Sequence, residues 1–275
     1  HRLGLDDFDP CAILINNDLS AGVPDILRNL HEQFVIPPLH AGWATRRKSH
    51  HFAAFDEVAR NFAQLLEIDP WLINPDFSVC GKVNFQEREG EECLAANVDA
   101  VLQSMQIKYR EYGIKEKPFV IIKADAGTYG MGIMTVHDAA EVRDLNRKQR
   151  KKMAVVKEGL QVTEVIIQEG VHTVEIVDGG TAEPVVYMID RYVVGGFYRI
   201  NEARGRDQNL NAPGMHFKPL AFEAPCSLPD PTCSPDAPPN RFFAYGVVAR
   251  LALLAAAMEI ERSAPATANT EQAPA

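Results

Sequence analysis

Hydrophobic positions in this 275-residue chain fall into two patterns, short β-branched runs and longer stretches spaced at three and four residues. Short apolar runs bounded by turn residues predict strands, and the three-and-four spacing predicts amphipathic helices. Residues 11–15 read as a buried strand closed by Asn16, Asn17 and Asp18; residues 77–85, 162–168, 171–177 and 184–194 also read as strands. A short helix suits residues 23–30, with Pro24 in its first turn. Apolar side chains at 55, 58, 62, 65 and 66 share one helical face, which predicts a helix over 56–67 ended by Asp69-Pro70. Residues 91–112 predict a long helix closed by Gly113, and Asp138 caps one that runs to about Met153. The strongly apolar residues 242–258 are too few and too alanine-rich for a membrane span, so 242–262 reads as a buried helix.

Residues 117–136, KPFVIIKADAGTYGMGIMTV, organise the rest. Two apolar runs, 119–122 and 133–136, read as a hairpin whose tip carries Gly127, Gly130 and Gly132. Glycine lets backbone amides turn toward one point, where they form an anion site, and Lys123 adds a full positive charge at the strand end. A polyphosphate is the guest this chemistry suits, although a glycine-rich turn also serves simply as a turn. The Walker pattern is absent, and the glycines lead into a strand rather than the helix a dinucleotide fingerprint needs.

Net charge of −9 argues against a general nucleic-acid binder, which would present a basic face. The five cysteines, at 11, 80, 93, 226 and 233, lack CxxC spacing and read as reduced cytosolic thiols, with a 226–233 disulfide conceivable in a proline-rich loop. Local cations stand out in residues 35–52, where Arg46, Arg47 and Lys48 adjoin His50 and His51; this loop is either solvated or contacts a carboxylate or phosphate. Lys82 sits in a mainly apolar run, to snorkel to the surface or to meet a nucleotide. Gln168, Glu169, Gly170 and Val171 form a strand-end hinge that can offer backbone groups to an adenine edge. Asp190 and Arg191 interrupt an apolar strand, and such charges need partners: each other, a metal or a phosphate. Residues 197–217 then supply Arg199, Asp207, Asn209 and Asn211; Asp190, Asp207 and Asn209 are oxygen ligands of the kind magnesium takes. Residues 224–240 hold six prolines and read as a loop, and 263–275 as a disordered tail. The start at His1, passing almost at once into an apolar run, reads as that of a fragment.

The order of lysine strand, glycine hairpin, helix, hinge strand, acidic strand and Asp-x-Asn resembles the ATP-grasp carboxylate-amine ligases. Together KPFVIIKADAGTYGMGIMTV, YMIDRYVVGGFYRIN and NLNAPGMHF are similar to the proteobacterial type of glutamate-cysteine ligase, over most of the chain. The resemblance implies an α+β ATP-grasp fold of two α/β subdomains with ATP held between them, lacking part of the N-terminal region. Residues 1–115 would form an N-terminal and central subdomain with a substrate-facing loop, and 116–262 the nucleotide and magnesium subdomain. It further implies that Lys82 and Lys123 meet ATP, that Gly127, Thr128, Tyr129, Gly130 and Gly132 fold over the triphosphate, and that Gln168, Glu169 and Val171 border the adenine. Asp190, Asp207 and Asn209 would hold Mg2+, Arg191 and Arg199 would neutralise the transferred phosphate, and Arg46, Arg47 and Asn211 would face substrate. The implied reaction, the first step of glutathione biosynthesis, joins glutamate to cysteine through a γ-glutamyl phosphate in the cytoplasm, without nucleic acid or membrane; a homo-oligomer is left open, as are a glutathione synthetase-like ATP-grasp ligase for another acid and amine and a nucleotide-binding module without turnover.

Overall fold

The computed structural model describes residues 2–30, 32–43, 45–127, 132–155, 161–220 and 241–265. Strands β1 (Ala12–Leu14) and β2 (Phe34–Ile36) form a small parallel pair, with the short helix α1 (Asp25–Arg28) between them. The central feature is an antiparallel sheet in the order β3-β6-β4-β5, built from Phe77–Gly81, Glu164–Glu169, Val120–Ala124 and Ile133–Val136. Register places Ala124 beside Val165 and Val165 beside Cys80, so these three share a face with Ile122 and Ile167. That face is buried against α3 (Glu91–Glu111) through Leu94, Val98, Leu102 and Met105. Period-two alternation sends Lys123, Ile166 and Gln168 to the other face. Helix α3 carries Glu91 and Glu92 in its first turn and Lys108 and Arg110 in its last, complementing the helix dipole, and stops at Gly113 with φ +67°. Because β3 and α3 belong to the same sheet and core as β4 and β6, a boundary at residue 115 would cut through one packed unit.

The second sheet is antiparallel, β7-β8-β9-β10, from Glu175–Val177, Gly180–Ile189, Tyr192–Asn201 and His216–Pro219. The expected single strand over 184–194 is thus two strands, paired from Thr181 with Asn201 to Ile189 with Tyr192. Asp190 and Arg191 form the turn between them, and Asp190 takes a left-handed φ of +52°, which aspartate tolerates better than most residues. An apolar run that doubles back looks in sequence like one that continues, because the turn lacks glycine.

Helix α2 spans Lys48–Leu66, so residues 48–52, the end of the segment expected to be a loop, are helical. Two helices, α4 (Ala140–Arg143) and α5 (Arg147–Ala154), replace the single one expected after Asp138, because Asn146 starts a new helix with a capping box to Gln149. Helix α6 (Arg241–Ser263) packs on α2 through Leu251 and Ala255 against Ala54, Phe55 and Ala59. The alanines let the two backbones approach closely. Val248, Leu253 and Leu254 are exposed, correcting the expectation of a buried helix. Among the described residues, 243–263 is the one helical stretch long and apolar enough to cross a membrane by length and composition. The proline-rich loop 224–240, the thiols at 226 and 233, and most of the 263–275 tail lie outside the described residues.

Candidate functional site

Lys123 lies near the end of β4, paired with Ile133 of β5 and Ile166 of β6, and its Nζ donates to Gln168 Oε1 at 2.8 Å. Burial pulls its pKa below the ordinary lysine value; the nearby Lys48 charge pulls the same way, and Glu183 opposes them. Past Lys123 the hairpin narrows at its base, where Ala124 N–H donates to the Gly132 carbonyl at 3.0 Å. Gly127 and Gly132 take φ of +93° and +61°, conformations that glycine adopts without strain. Thr128, Tyr129 and Gly130, the expected lid residues, lie outside the described residues.

The base of this loop is fastened to the start of α2. Buried Asp125 accepts Ser49 N–H and Ser49 Oγ–H, each at 2.7 Å, and its carbonyl accepts Lys48 N–H at 2.9 Å. Arg47 at the N-cap makes no side-chain cap of its own, so the carboxylate from the far strand satisfies the helix terminus and its dipole. Lys48 Nζ reaches across to the carbonyls of Ala124 at 2.8 Å and Gly127 at 3.1 Å. Burial lowers its pKa as well, with Asp125 acting in the opposite direction.

These elements and α6 enclose a cavity of about 490 Å³, whose walls include Lys48, Lys123 and Gly127, Arg46 and Arg47, and the apolar Trp43, Phe52, Ile133 and Ile260. Its four cations are not equivalent. Arg46 is held in a bidentate pair by Glu259 of α6, Nε and Nη2 each at 2.7 Å, and also touches His51. Arg47 pairs with Glu164 and lies 3.7 Å from Asp125. Lys48 and Lys123 instead bond to neutral oxygens, which leaves their charge available to an anion. The expected substrate residues Arg46 and Arg47 therefore stand in the wall as carboxylate-bound supports.

The other expected residues divide. Arg199 of β9 faces its cross-strand partner Glu183, with Nη1 to Oε1 at 2.5 Å, and Glu183 is also near enough to influence Lys123. Arg199 Nε is buried with no partner among the described residues, a donor that an anionic oxygen would satisfy. Arg191 does not join it: its side chain is 70% exposed and lies over the Tyr192 ring. Asp190 is equally exposed, 3.9 Å from Arg191, at the hairpin tip. Asp207 meets His137 at 3.2 Å and Asn209 closes a turn onto Asn211 N–H, in a loop held to the opposite end of β9 by buried Asn201 through Leu210. A ten-residue strand spans about 30 Å. Asp190 therefore cannot share an ion with Asp207 and Asn209, and no group of three His, Cys, Asp or Glu suited to a metal occurs among the described residues. Asn211 is exposed.

Two nucleotide assignments also change. Glu169 is buried away from Lys123, on the α3 face of the sheet, where Trp71 Nε1 at 3.1 Å and Asp76 N–H at 2.9 Å donate to its carboxylate. Burial raises its pKa. Glu169 and Gly170 N–H already bond to Asp76 and Phe119 carbonyls, so these amides are not free for a ligand, and Val171 is exposed. Lys82 follows β3 in a left-handed turn, exposed and outside the cavity wall.

Asp125, Ser49, Glu183 and Glu259 were not anticipated from sequence. Asp125 alone carried a local signal, as an acidic residue two positions after the key lysine.

Against known proteins, the family described as glutamate-cysteine ligase (GshA) matches residues 1–260. A crystal structure of a provisionally assigned gamma-glutamylcysteine synthetase from Methylobacillus flagellatus KT is 66% identical, with a TM-score of 0.84 over 96% of this chain. This chain spans 62% of that protein's length. A D-cycloserine synthetase, DcsG, aligns at 13% identity and a TM-score of 0.43 over 84% of this chain and 58% of its own, too distant to carry argument. No curated protein sequence matches.

Proposed function

The chain belongs to the glutamate-cysteine ligase family, and we propose that it carries the ATP site of an enzyme joining the γ-carboxylate of L-glutamate to the amine of L-cysteine. The observation that carries this reading is the pair Lys48 and Lys123, two half-buried ammonium groups on neutral partners beside a glycine hairpin. Two desolvated positive charges side by side are unfavourable without an anion, and a triphosphate supplies one. Arg199 Nε adds a donor of the same kind. We assign the mixed α/β architecture to the ATP-grasp class on the same grounds: two antiparallel sheets with a phosphate-seeking lysine on one and an arginine-glutamate pair on the other.

In this reading the glutamate γ-carboxylate attacks the γ-phosphorus of ATP, giving γ-glutamyl phosphate and ADP. The cysteine amine then attacks the acyl carbon and phosphate leaves, so no protein nucleophile is needed. The work left to the chain is electrostatic. Lys123 and Lys48 hold the phosphate oxygens, Arg199 offers Nε to charge that develops during transfer, and the hairpin excludes water that would hydrolyse the acyl phosphate. Magnesium would accompany ATP, usually on one or two protein carboxylates with water and phosphates. The set Asp190, Asp207 and Asn209 does not fit one ion, so no step is assigned to metal ligands of this chain. A cytoplasmic location follows from the proposed substrates.

The test is product analysis with ATP, glutamate and a panel of amines. ADP release that requires both glutamate and cysteine, with γ-glutamylcysteine formed, is the expected result. Turnover on another acid and amine would retain the nucleotide site and discard the substrate assignment; absence of ATP binding would discard both.

A further inference from the structure

On the α3 face of the central sheet, remote from Lys123's side, two thiols touch. Cys80 of β3 and Cys93 in the first turn of α3 have their sulfurs 3.4 Å apart, with Cys80 S–H directed at Cys93 Sγ. Cys80 is 1% exposed within the core and Cys93 is open to solvent. Asn97 Nδ2 lies 3.5 Å from Cys93 Sγ, and its own Oδ1 is fixed by Ser78 Oγ at 2.6 Å, so a second donor faces that sulfur. Nothing in the proposed ligation uses either thiol.

We propose that Cys80 and Cys93 form a thiol–disulfide exchange site that accepts low-molecular-weight disulfides and closes to a reversible Cys80–Cys93 bond. The roles of the two sulfurs follow from access. Cys93, exposed and facing two donors in the first turn of a helix, is the attacking sulfur. Its thiolate attacks one sulfur of R–S–S–R, the S–S bond breaks, and RS⁻ leaves from a mixed disulfide at Cys93. Cys80 then loses its proton and attacks Cys93 Sγ, expelling the second RS⁻. Two protein thiols are oxidised, one small disulfide is reduced to two thiols, and the two protons released are taken by the two leaving thiolates.

Cys80 is a resolving thiol and not a first nucleophile, because burial pushes its pKa up to about 12, with the Cys93 sulfur adding to the effect. Contact with Cys93 makes its attack effectively intramolecular. Closing the bond requires the sulfurs to approach from contact to bonding distance, a side-chain adjustment at the junction of an edge strand and a helix end. The bond would tie β3 to α3 across the intervening turn at 84–89.

The full chain is incubated with 2-hydroxyethyl disulfide, remaining thiols are alkylated, and linked peptides are mapped by mass spectrometry. The expected product has lost the mass of two hydrogens and yields a Cys80–Cys93 peptide that dithiothreitol separates. It melts about 5 °C higher than the reduced chain, as closure of a short loop predicts. In Cys80→Ser the reaction stops at a mixed disulfide on Cys93; in Cys93→Ser, position 80 stays unmodified in the folded protein. A wild-type chain that stops at the Cys93 adduct, or that links any other pair, overturns the proposal. ATP turnover plays no part in this readout, so its result stands apart from the ligase assignment.

Discussion

Asp125 accepts both the backbone N–H and the Oγ–H of Ser49, each at 2.7 Å, and so joins the end of the lysine strand to the first turn of α2. The carboxylate is buried, and each oxygen has a separate donor, which makes the contact sensitive to the loss of either partner. Asp125→Asn places an amide N–H2 where one oxygen accepts, and should destabilise the fold by about 1–3 kcal/mol. Ser49→Ala removes one bond and should cost about 1 kcal/mol. Urea denaturation reads both. If the contact also holds the glycine loop in position, Ser49→Ala raises the KM for ATP more than it lowers kcat; equal midpoints for wild type and Asp125→Asn would show that the contact contributes nothing.

Lys123→Ala should abolish nucleotide binding while leaving the fold intact, since Nζ bonds only the neutral Gln168 side chain among the described residues. The pH dependence has a definite sign. Burial and Lys48 depress the folded-state pKa of Lys123, so between that value and the unfolded lysine pKa the native state holds fewer protons than the unfolded chain. This group therefore adds stability as pH rises through that window and subtracts it below. A bound phosphate favours the protonated form, so ATP binding should take up protons at alkaline pH. Calorimetry in buffers of differing ionisation enthalpy measures the uptake, and buffer-independent heats would contradict it.

Sequence reading located the lysine hairpin because its signals are local: alternating β-branched residues, a terminal lysine and closely spaced glycines. Residues 91–111 were equally legible, since acidic start, basic end and glycine stop lie within one helix. Tertiary pairing was not legible. Helix α2 begins at Lys48 through a carboxylate contributed by Asp125, far along the chain, and no local cap announces it. Glu259 sits in a mainly apolar helix and acquires its meaning only when α6 crosses α2 and meets Arg46. Asp190 failed for a different reason: a turn without glycine leaves no mark in an apolar run, so an exposed tip was read as a buried charge.

Glu259→Gln should loosen α6 from the cavity. The wild-type carboxylate takes both Arg46 donors and stands 3.2 Å from His51 Nδ1. Its loss leaves the guanidinium with weaker partners at an expected cost of about 2 kcal/mol. His51 is held below its usual pKa first by burial and then by Arg46, with Glu259 opposing. A depressed histidine favours folding above its unfolded pKa, and that stability is lost as pH falls toward the folded value. Removing Glu259 removes the opposing influence, so His51 should titrate at still lower pH. NMR titration of the His51 ring checks this, and an upward shift would contradict it.

Asp190→Asn should leave both magnesium dependence and stability unchanged, the latter within about 0.5 kcal/mol as for most exposed positions. Asp190 is 68% exposed at a hairpin tip, with Arg191 at 3.9 Å as a solvent-screened neighbour. Asparagine tolerates the same left-handed backbone, so the turn itself is preserved. Arg199→Met is the informative contrast. It removes the buried unpartnered Nε and the Glu183 contact together, and should lower kcat at least tenfold if that donor meets the transferred phosphate. A magnesium titration displaced by Asp190→Asn, with Arg199→Met fully active, would move the phosphate-transfer centre from the body of the second sheet to its tip.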